Sequence, residues 1–226
     1  IYMLLGPLRH RFTALERAKE QGIGHYFVPR YTRVVDTAES KDNINKAYNL
    51  ISTSKVRNEM IIDDVITCVA RKQTPVILTR FKEHAKFLHD ALKKKADHVF
   101  LLYGDNSDKE NAEIRVKLKQ IPENESLILV ATGQKIGEGF DFPRLDVLML
   151  AAPVSFEGRL EQYVGRLNRD YVGKEAVYVY DYIDSHVRYF DKMYAKRLRT
   201  YRKMGFSIWT QELQPKQIIN AIFDSV

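Results

Sequence analysis

Two arginines one helical turn apart, Arg166 and Arg169, have a spacing that suits a polyanion. Apolar side chains recur at i, i+3, i+4 and i+7 in residues 157–169 and predict a helix with one buried face, formed by Leu160, Tyr163, Val164 and Leu167. At about 100° per residue, the opposite face presents Gln162, Gly165, Arg166 and Arg169. Guanidinium groups pair with phosphate oxygens in bidentate fashion and keep their charge. The pattern indicates either a phosphate-binding face or a solvated face with weak surface salt bridges.

A glycine-rich loop precedes this helix in the sequence. The apolar run at 126–132 predicts a buried parallel strand, and Gly133, Gly137 and Gly139 interrupt it. Pro143 and Asp146 end the loop before a second buried strand at 147–152. Glycines allow backbone N–H groups to approach phosphates closely. The loop therefore favours phosphate binding over a merely solvated arginine face.

The elements that must position these residues alternate between strand and helix. The predicted strands are 75–79, 98–103, 126–132, 147–152 and 176–181, and the predicted helices are 54–71, 80–95, 108–119 and 157–169. This alternation predicts an α/β fold, a mostly parallel sheet with helices on both faces. Ligands of such sheets bind beyond the carboxyl ends of the strands. Three polar or glycine-containing loops fall at that edge: 79–80, 104–107 and 133–139.

Composition limits the class of protein. The 226 residues suit one domain or a domain with appendages, and no stretch approaches the roughly 20 apolar residues of a membrane span. The only cysteine, Cys68, lies in an apolar context, which suits a buried thiol and a cytoplasmic location. The histidines show no metal-ligand spacing, so we expect no metal site. The net charge of +7 favours a polyanionic partner.

The two ends of the chain carry less information. Residues 1–40 are irregular, with a strand expected around 26–35, and we expect them to be peripheral; residues 41–47 are polar and loop-like. Because the chain starts with Ile1 inside an apolar run, we expect it to be a piece of a longer protein. Residues 187–205 predict a helix with seven basic residues and one acid, Asp191. That helix is either solvated or a contact for nucleic acid or for a partner domain.

Two segments resemble helicase motifs. Residues 131–143 (ATGQKIGEGFDFP) resemble motif V of superfamily 2 helicases and translocases, and residues 162–169 (QYVGRLNR) resemble their motif VI. The likeness extends over most of the chain and is greatest to the restriction-enzyme-like, DEAD/DEAH-type bacterial branch. It implies a RecA-like fold in which residues 41–226 form the second motor domain. Residues 1–40 would then connect to a first motor domain that this chain lacks.

The resemblance also implies roles for individual residues. By matched position, Arg166 and Arg169 would act as arginine fingers on ATP, with Gln162 alongside. The second half of motif V would face the nucleotide through Gly137, Gly139 and Asp141, although Asp141 before Pro143 would also suit a simple turn. Glu138 departs from the arginine of many relatives. Contacts to the nucleic-acid backbone would come from motif V and motif IV residues Thr132, Gly133, Thr79 and Arg80.

The sequence contains neither G-x-x-x-x-G-K-[ST] nor D-E-x-[DH], the elements that hold ATP and Mg²⁺. We therefore expect no ATP hydrolysis by this chain alone. The leading hypothesis is the second domain of an ATP-dependent DNA helicase or translocase, with RNA left open as the polymer and no membrane partner. The rival is a non-catalytic nucleic-acid-binding module with the same fold. An unrelated doubly wound nucleotide enzyme would need a glycine-rich turn after the strand at 75–79, which is absent.

Overall fold

The computed structural model describes residues 22–103, 108–133, 141–154 and 157–209. Within these ranges the strands are β1 (Gly24–Tyr31), β2 (Pro75–Thr79), β3 (His98–Leu102), β4 (Leu127–Thr132), β5 (Val147–Leu150), β6 (Ala176–Ile183) and β7 (Ser207–Ile208). The helices are α1 (Ala38–Asp42), α2 (Ile44–Thr53), α3 (Lys55–Ala70), α4 (Lys82–Leu92), α5 (Asp108–Gln120), α6 (Glu157–Leu167) and α7 (Arg188–Lys203). None of these helices is both long enough and apolar enough to cross a membrane.

The described strands form one parallel sheet in the order β3-β4-β2-β5-β6-β1-β7. The centre of the sheet contains β2, β4 and β5, which are continuous apolar runs in the sequence. Strands β2 and β5 are buried along their whole length. Such runs are typical of parallel strands that are covered on both faces. Because the strands are parallel, their carboxyl ends meet at one edge. The predicted α/β architecture is confirmed.

Helices cover both faces of the sheet. Along β2, Val76 and Leu78 face a core cluster that includes side chains of α6 and α7, whereas Ile77 faces a second cluster built with α3 and α4. This alternation follows from the two-residue period of a strand. Cys68 of α3 lies fully buried in the second cluster, as its sequence context predicts. Full burial of one large aliphatic side chain contributes roughly 1.5–3 kcal/mol, so both helical layers are firmly attached.

The expectation that residues 1–40 are peripheral is wrong for β1. This strand lies inside the sheet between β6 and β7, and it pairs with β6 from Gly24 to Tyr31. Its Phe27 is 2% exposed. The pairing joins segments about 150 residues apart, so no local sequence pattern predicts it. The assignment of residues 1–40 as a connector from another motor domain stays a prediction.

The polar segment 41–47 is not a loop. The side chain of Asn43 accepts hydrogen bonds from the N–H groups of residues 45 and 46 and so caps the start of α2. Ala47, Tyr48 and Ile51 form the buried face of that helix. Their spacing, together with the asparagine cap, is a helix signal that the polar composition hides.

Candidate functional site

The carboxyl edge of the sheet brings two predicted contact segments together. Thr79 ends β2 and Thr132 ends β4, and the two threonines are register partners on neighbouring strands. Thr79 is 3% exposed, and its hydroxyl donates a hydrogen bond of 3.2 Å to the carbonyl oxygen of Phe81. The hydroxyl proton of Thr79 is therefore used inside the fold, whereas Thr132 is half-buried.

Arg80 follows Thr79 and is held by α2. Its guanidinium carbon lies 4.3 Å from the ring centroid of Tyr48, and its Nη2 donates to Oδ1 of Asn45 at 3.3 Å. A cation over an aromatic face is attracted by the ring quadrupole. The exposed guanidinium of Arg80 is therefore oriented at the edge of the sheet. Asn45 and Tyr48 therefore orient Arg80. Neither was predicted to do so, and Asn45 belongs to the segment 41–47 that was expected to be a loop.

Helix α6 has the two faces that its sequence predicts. Leu160, Tyr163, Val164 and Leu167 are buried in the core. Gln162 and Gly165 are exposed on the other side, and Arg166 is half-buried. A Cβ atom at Gly165 would meet nothing within 4 Å, so open space lies beside this glycine. The helix ends at Leu167, so Arg169, which was predicted to be helical, lies just beyond it.

The first residue of the glycine loop contacts α6 directly. The hydroxyl of Tyr163 donates a hydrogen bond of 2.9 Å to the carbonyl oxygen of Gly133. Burial raises the pKa of the Tyr163 hydroxyl above its ordinary value. The hydroxyl therefore keeps its proton and acts as the donor of this bond.

The other end of the loop also meets the arginine segment. Nε of Arg169 lies 3.3 Å from Oδ1 of Asp141, and both side chains are about half exposed. Two residues predicted from different motifs are therefore in contact. Gly137 and Gly139 lie outside the described residues, so their predicted role is untested.

Lys174, which was not predicted as a site residue, joins the same two segments. Nζ of Lys174 donates to the carbonyl oxygens of Pro143, Leu167 and Arg169. A turn positions it, since the N–H of Lys174 donates to the carbonyl of Tyr171 and Gly173 adopts a φ of +80°. No periodic pattern marks this lysine, so only its position after the turn glycine could have indicated it.

Two buried ion pairs secure the segment that leads into α6. Arg57 forms a bidentate pair with Asp184 and donates to the carbonyl of Ala151 at 2.8 Å. Arg197 forms a bidentate pair with Asp181 and donates to the carbonyl of Val154 at 3.2 Å. The hydroxyl of Tyr48 donates to the carbonyl of Pro153, which lies between Ala151 and Val154 in the chain. Residues 151–154 are thus held by side chains from three helices.

One of these pairs involves a basic residue of α7. Arg197, counted among the seven basic residues of 187–205, points inward and is neutralised by Asp181. The basic side chains on the exposed face of α7 are Arg188, Lys192, Lys196, Arg199, Arg202 and Lys203. Lys203 lies 3.3 Å from Glu161 of α6. All five basic residues that the helical repeat aligns on one face are therefore exposed: Arg188, Lys192, Lys196, Arg199 and Lys203.

The described part of the site is rich in cationic groups and lacks metal-ligand clusters. Among the described residues no group of three His, Cys, Asp or Glu side chains could hold a metal ion. Burial raises the pKa of the Cys68 thiol to about 12, so this cysteine is not a nucleophile at neutral pH. The exposed guanidiniums of Arg80, after the end of β2, and of Arg169, near the amino ends of β1 and β6, can bind phosphate oxygens and stabilise negative charge.

The fold defines a class: it is the RecA-like fold of helicase C-terminal domains. The structure of T4 UvsW superimposes with a TM-score of 0.64 at 20% identity, covering 83% of this chain and 41% of that one. The Sulfolobus solfataricus SWI2/SNF2 ATPase core in complex with dsDNA gives a TM-score of 0.56 at 13% identity, covering 80% and 46%. S. cerevisiae Dbp5 bound to RNA and ADP BeF3 gives 0.51 at 12% identity, covering 95% and 48%. At these identities the likeness shows the fold alone.

The relatives in sequence include viral proteins. Transcript termination protein A18 of Yaba-like disease virus is 28% identical over 172 residues, which cover 71% of this chain and 35% of the relative. Putative helicase 161L of Invertebrate iridescent virus 6 is 34% identical over 118 residues, covering 51% and 22%. The chain thus spans about a third or less of these relatives. No protein-family model matches the chain. The comparisons support the helicase superfamily and give no support to the expected bacterial restriction-enzyme-like branch.

Proposed function

We propose that this chain is the second motor domain of an ATP-dependent DNA helicase or translocase. In this proposal a first RecA-like domain holds ATP with Mg²⁺, and this chain supplies Arg166 and Arg169. The chain would also contact the DNA backbone at the carboxyl edge of its sheet. The RecA-like helicase fold and the helicase-like viral relative support the general assignment to nucleic-acid motors.

The observation that carries the proposal is the contact between Asp141 and Arg169. It joins the end of the glycine loop to the end of the arginine helix. A pair this exposed is worth about 0–1 kcal/mol, so the guanidinium of Arg169 can turn to a phosphate at little cost. Arg166 extends from a helix whose other face is buried in the core, which keeps its backbone fixed.

The donor set fits an ATP-dependent reaction. Bound ATP would supply a phosphoryl group whose oxygens gain negative charge during transfer. The guanidiniums of Arg166 and Arg169 would stabilise that charge, and the amide of Gln162 would donate a further hydrogen bond. Their fixed backbone avoids reorganisation when the charge develops. Asp141, and Gly137 and Gly139 of the same loop, are the proposed nucleotide contacts.

The proposed DNA contacts lie at the carboxyl edge of the sheet. Thr132, Gly133 and Arg80 would bind phosphates of one strand without reading its sequence. Thr79, which is buried and donates its hydroxyl proton within the fold, would position the neighbouring Arg80. The register pairing of Thr79 with Thr132 and the oriented guanidinium of Arg80 support this assignment. The SWI2/SNF2 core with this fold binds dsDNA and Dbp5 binds RNA, so an assay should include both polymers.

The test is the ATPase activity of the full-length protein that contains this chain. Arg166→Ala should lower kcat by about 10³-fold or more with little change in the KM for ATP, because the contact forms mainly in the transition state. Arg115→Ala removes an exposed arginine of α5 and serves as the matched control. The isolated 226-residue chain should show no turnover. If the full-length wild type binds DNA and RNA but hydrolyses no ATP with either, the non-catalytic module is the correct reading.

A further inference from the structure

Lys174 joins the two segments on which the proposed site depends. Its ammonium donates to Leu167 at 2.8 Å, to Arg169 at 3.0 Å, and also to Pro143. An ammonium has three N–H donors, so each proton has one carbonyl acceptor. Pro143 belongs to the end of the glycine loop, whereas Leu167 and Arg169 belong to the end of the arginine helix.

The position of the ammonium suits the end of a helix. The last carbonyl groups of α6 have no partner within the helix. A positive charge is favourable at a helix C-terminus because the helix dipole is negative there. The carboxylates of Asp146 and Asp170 also attract the charge of Lys174, while burial lowers the pKa of its ammonium to about 8. The lysine therefore stays largely charged at neutral pH.

The three contacts fix both partners of the Asp141–Arg169 pair. The carbonyl of Arg169 itself accepts one bond, so the backbone that carries its side chain is held directly. Asp141 lies two residues before Pro143, which accepts another. A loss of the ammonium would leave the end of the helix and the end of the loop free to shift independently.

We propose that Lys174 is a positioning residue for Arg169, holding the helix end and the loop end in the arrangement that catalysis requires. This inference rests on the proposed function, since it assumes that Arg169 acts on ATP. Misplacement of a catalytic group by about 1 Å can lower a rate by about 10²-fold. The effect of losing Lys174 should therefore appear in kcat rather than in ATP binding.

The experiment uses the full-length protein with saturating nucleic acid. Lys174→Met should lower kcat by about 10- to 100-fold, with the KM for ATP changed by less than about twofold because binding by the first domain is untouched. Lys94→Met removes an exposed lysine after α4 and is the matched control. Lys174→Gln, which keeps two N–H donors, should fold even if the methionine variant does not, and its kcat should lie between those of wild type and Lys174→Met.

A double variant separates positioning from general stability. If Lys174 acts through Arg169, then Arg169→Ala with Lys174→Met should be no slower than Arg169→Ala alone. A further drop of about tenfold in the double variant would show an independent role and overturn the inference. Normal kcat in the folded Lys174 variants, with Arg169→Ala inactive, would overturn it while leaving the proposed function intact. Normal kcat in Arg169→Ala would instead refute the role of Arg169, and this inference with it.

A chemical rescue tests the ammonium itself. Lys174→Cys treated with 2-bromoethylamine regains an ammonium on a side chain of lysine-like length. The one native cysteine of this chain, Cys68, is buried and should not react. Recovery of most of the lost kcat is expected, with treated wild type as the control. Complete modification without recovery would contradict the role of the charge.

Discussion

The hydroxyl of Tyr163 donates a 2.9 Å hydrogen bond to the carbonyl oxygen of Gly133. A Cβ atom built at Gly133 would lie 2.6 Å from that hydroxyl oxygen and 3.5 Å from the ring carbon that carries it. The first distance is a severe overlap and the second is ordinary van der Waals contact. Packing against Tyr163 therefore favours glycine at position 133, in addition to the predicted contact of Gly133 with a phosphate.

Gly133→Ala should destabilise the chain by about 1–3 kcal/mol, because the new methyl group displaces the hydroxyl of Tyr163. Tyr163→Phe removes the hydroxyl and should itself cost about 1 kcal/mol through the lost hydrogen bond. In the Tyr163→Phe background, however, Gly133→Ala should cost much less. Denaturant unfolding of the four proteins measures this coupling. Equal costs of Gly133→Ala in both backgrounds would show that the overlap with Tyr163 is not the cause.

Arg197 and Arg199 are two residues apart on α7 but should respond very differently to substitution. Arg197→Met leaves the buried Asp181 carboxylate without its cation and should cost about 3–5 kcal/mol. Arg199→Met, on the exposed face, should change stability by less than about 0.5 kcal/mol. Thermal or denaturant unfolding measures both. Similar small effects for the two variants would contradict the inward orientation of Arg197.

The sequence predicts which faces of a helix are buried better than it predicts contacts between distant segments. The buried face of α6 could be predicted because its apolar residues repeat within one helix. The helical repeat places Arg197 on the apolar face of α7, three residues after Tyr194 and four before Tyr201. Its ion pair could not be predicted, because the partner Asp181 comes from β6. The hydrogen bonds from Tyr163 and Lys174 to the two ends of the glycine loop could not be predicted either, because donor and acceptor are about 30 residues apart. The motifs indicate which residues could do chemistry, whereas long-range contacts decide how they are held.

His84 should make the chain sensitive to acid. Burial, with a smaller contribution from Arg57, lowers the pKa of His84 to about 4, while its Nε2 donates to Asn58 Oδ1 at 2.9 Å. The unfolded chain binds this proton near pH 6.5 and the folded chain only near pH 4, so stability is lost as the pH falls between these values. The full difference corresponds to about 3 kcal/mol.

His84→Gln should remove this part of the pH dependence while keeping a donor for Asn58. The difference in unfolding free energy between wild type and variant should shrink by up to about 3 kcal/mol from pH 7 to pH 4. Asp146 acts in the opposite sense, because burial raises the pKa of its carboxyl to about 6. Its contribution cancels in the comparison of wild type with variant. His89→Gln, on the same helix but less buried, is the control. A pH-independent difference would contradict the role of His84.

The exposed basic face of α7 offers a test of nucleic-acid binding outside the sheet edge. Arg188, Lys192, Lys196, Arg199 and Lys203 line up over roughly 22 Å of helix. Replacing Lys192, Lys196 and Arg199 with glutamine should weaken binding to all DNA sequences alike, because each phosphate contact releases condensed counterions. The slope of log K against log salt should flatten by about one unit for each lost contact.

The matched control removes the same charge elsewhere. Lys93, Lys94 and Lys95 are exposed after α4, and their replacement with glutamine also lowers the net charge by three. A long-range effect of net charge would weaken DNA binding in both triple variants, whereas direct contact predicts a changed salt slope only for the α7 variant. Salt titrations of binding by the full-length protein distinguish the two. An unchanged slope and affinity in the α7 variant would assign this face to solvent or to a partner domain, since screened surface charges contribute little without a bound phosphate.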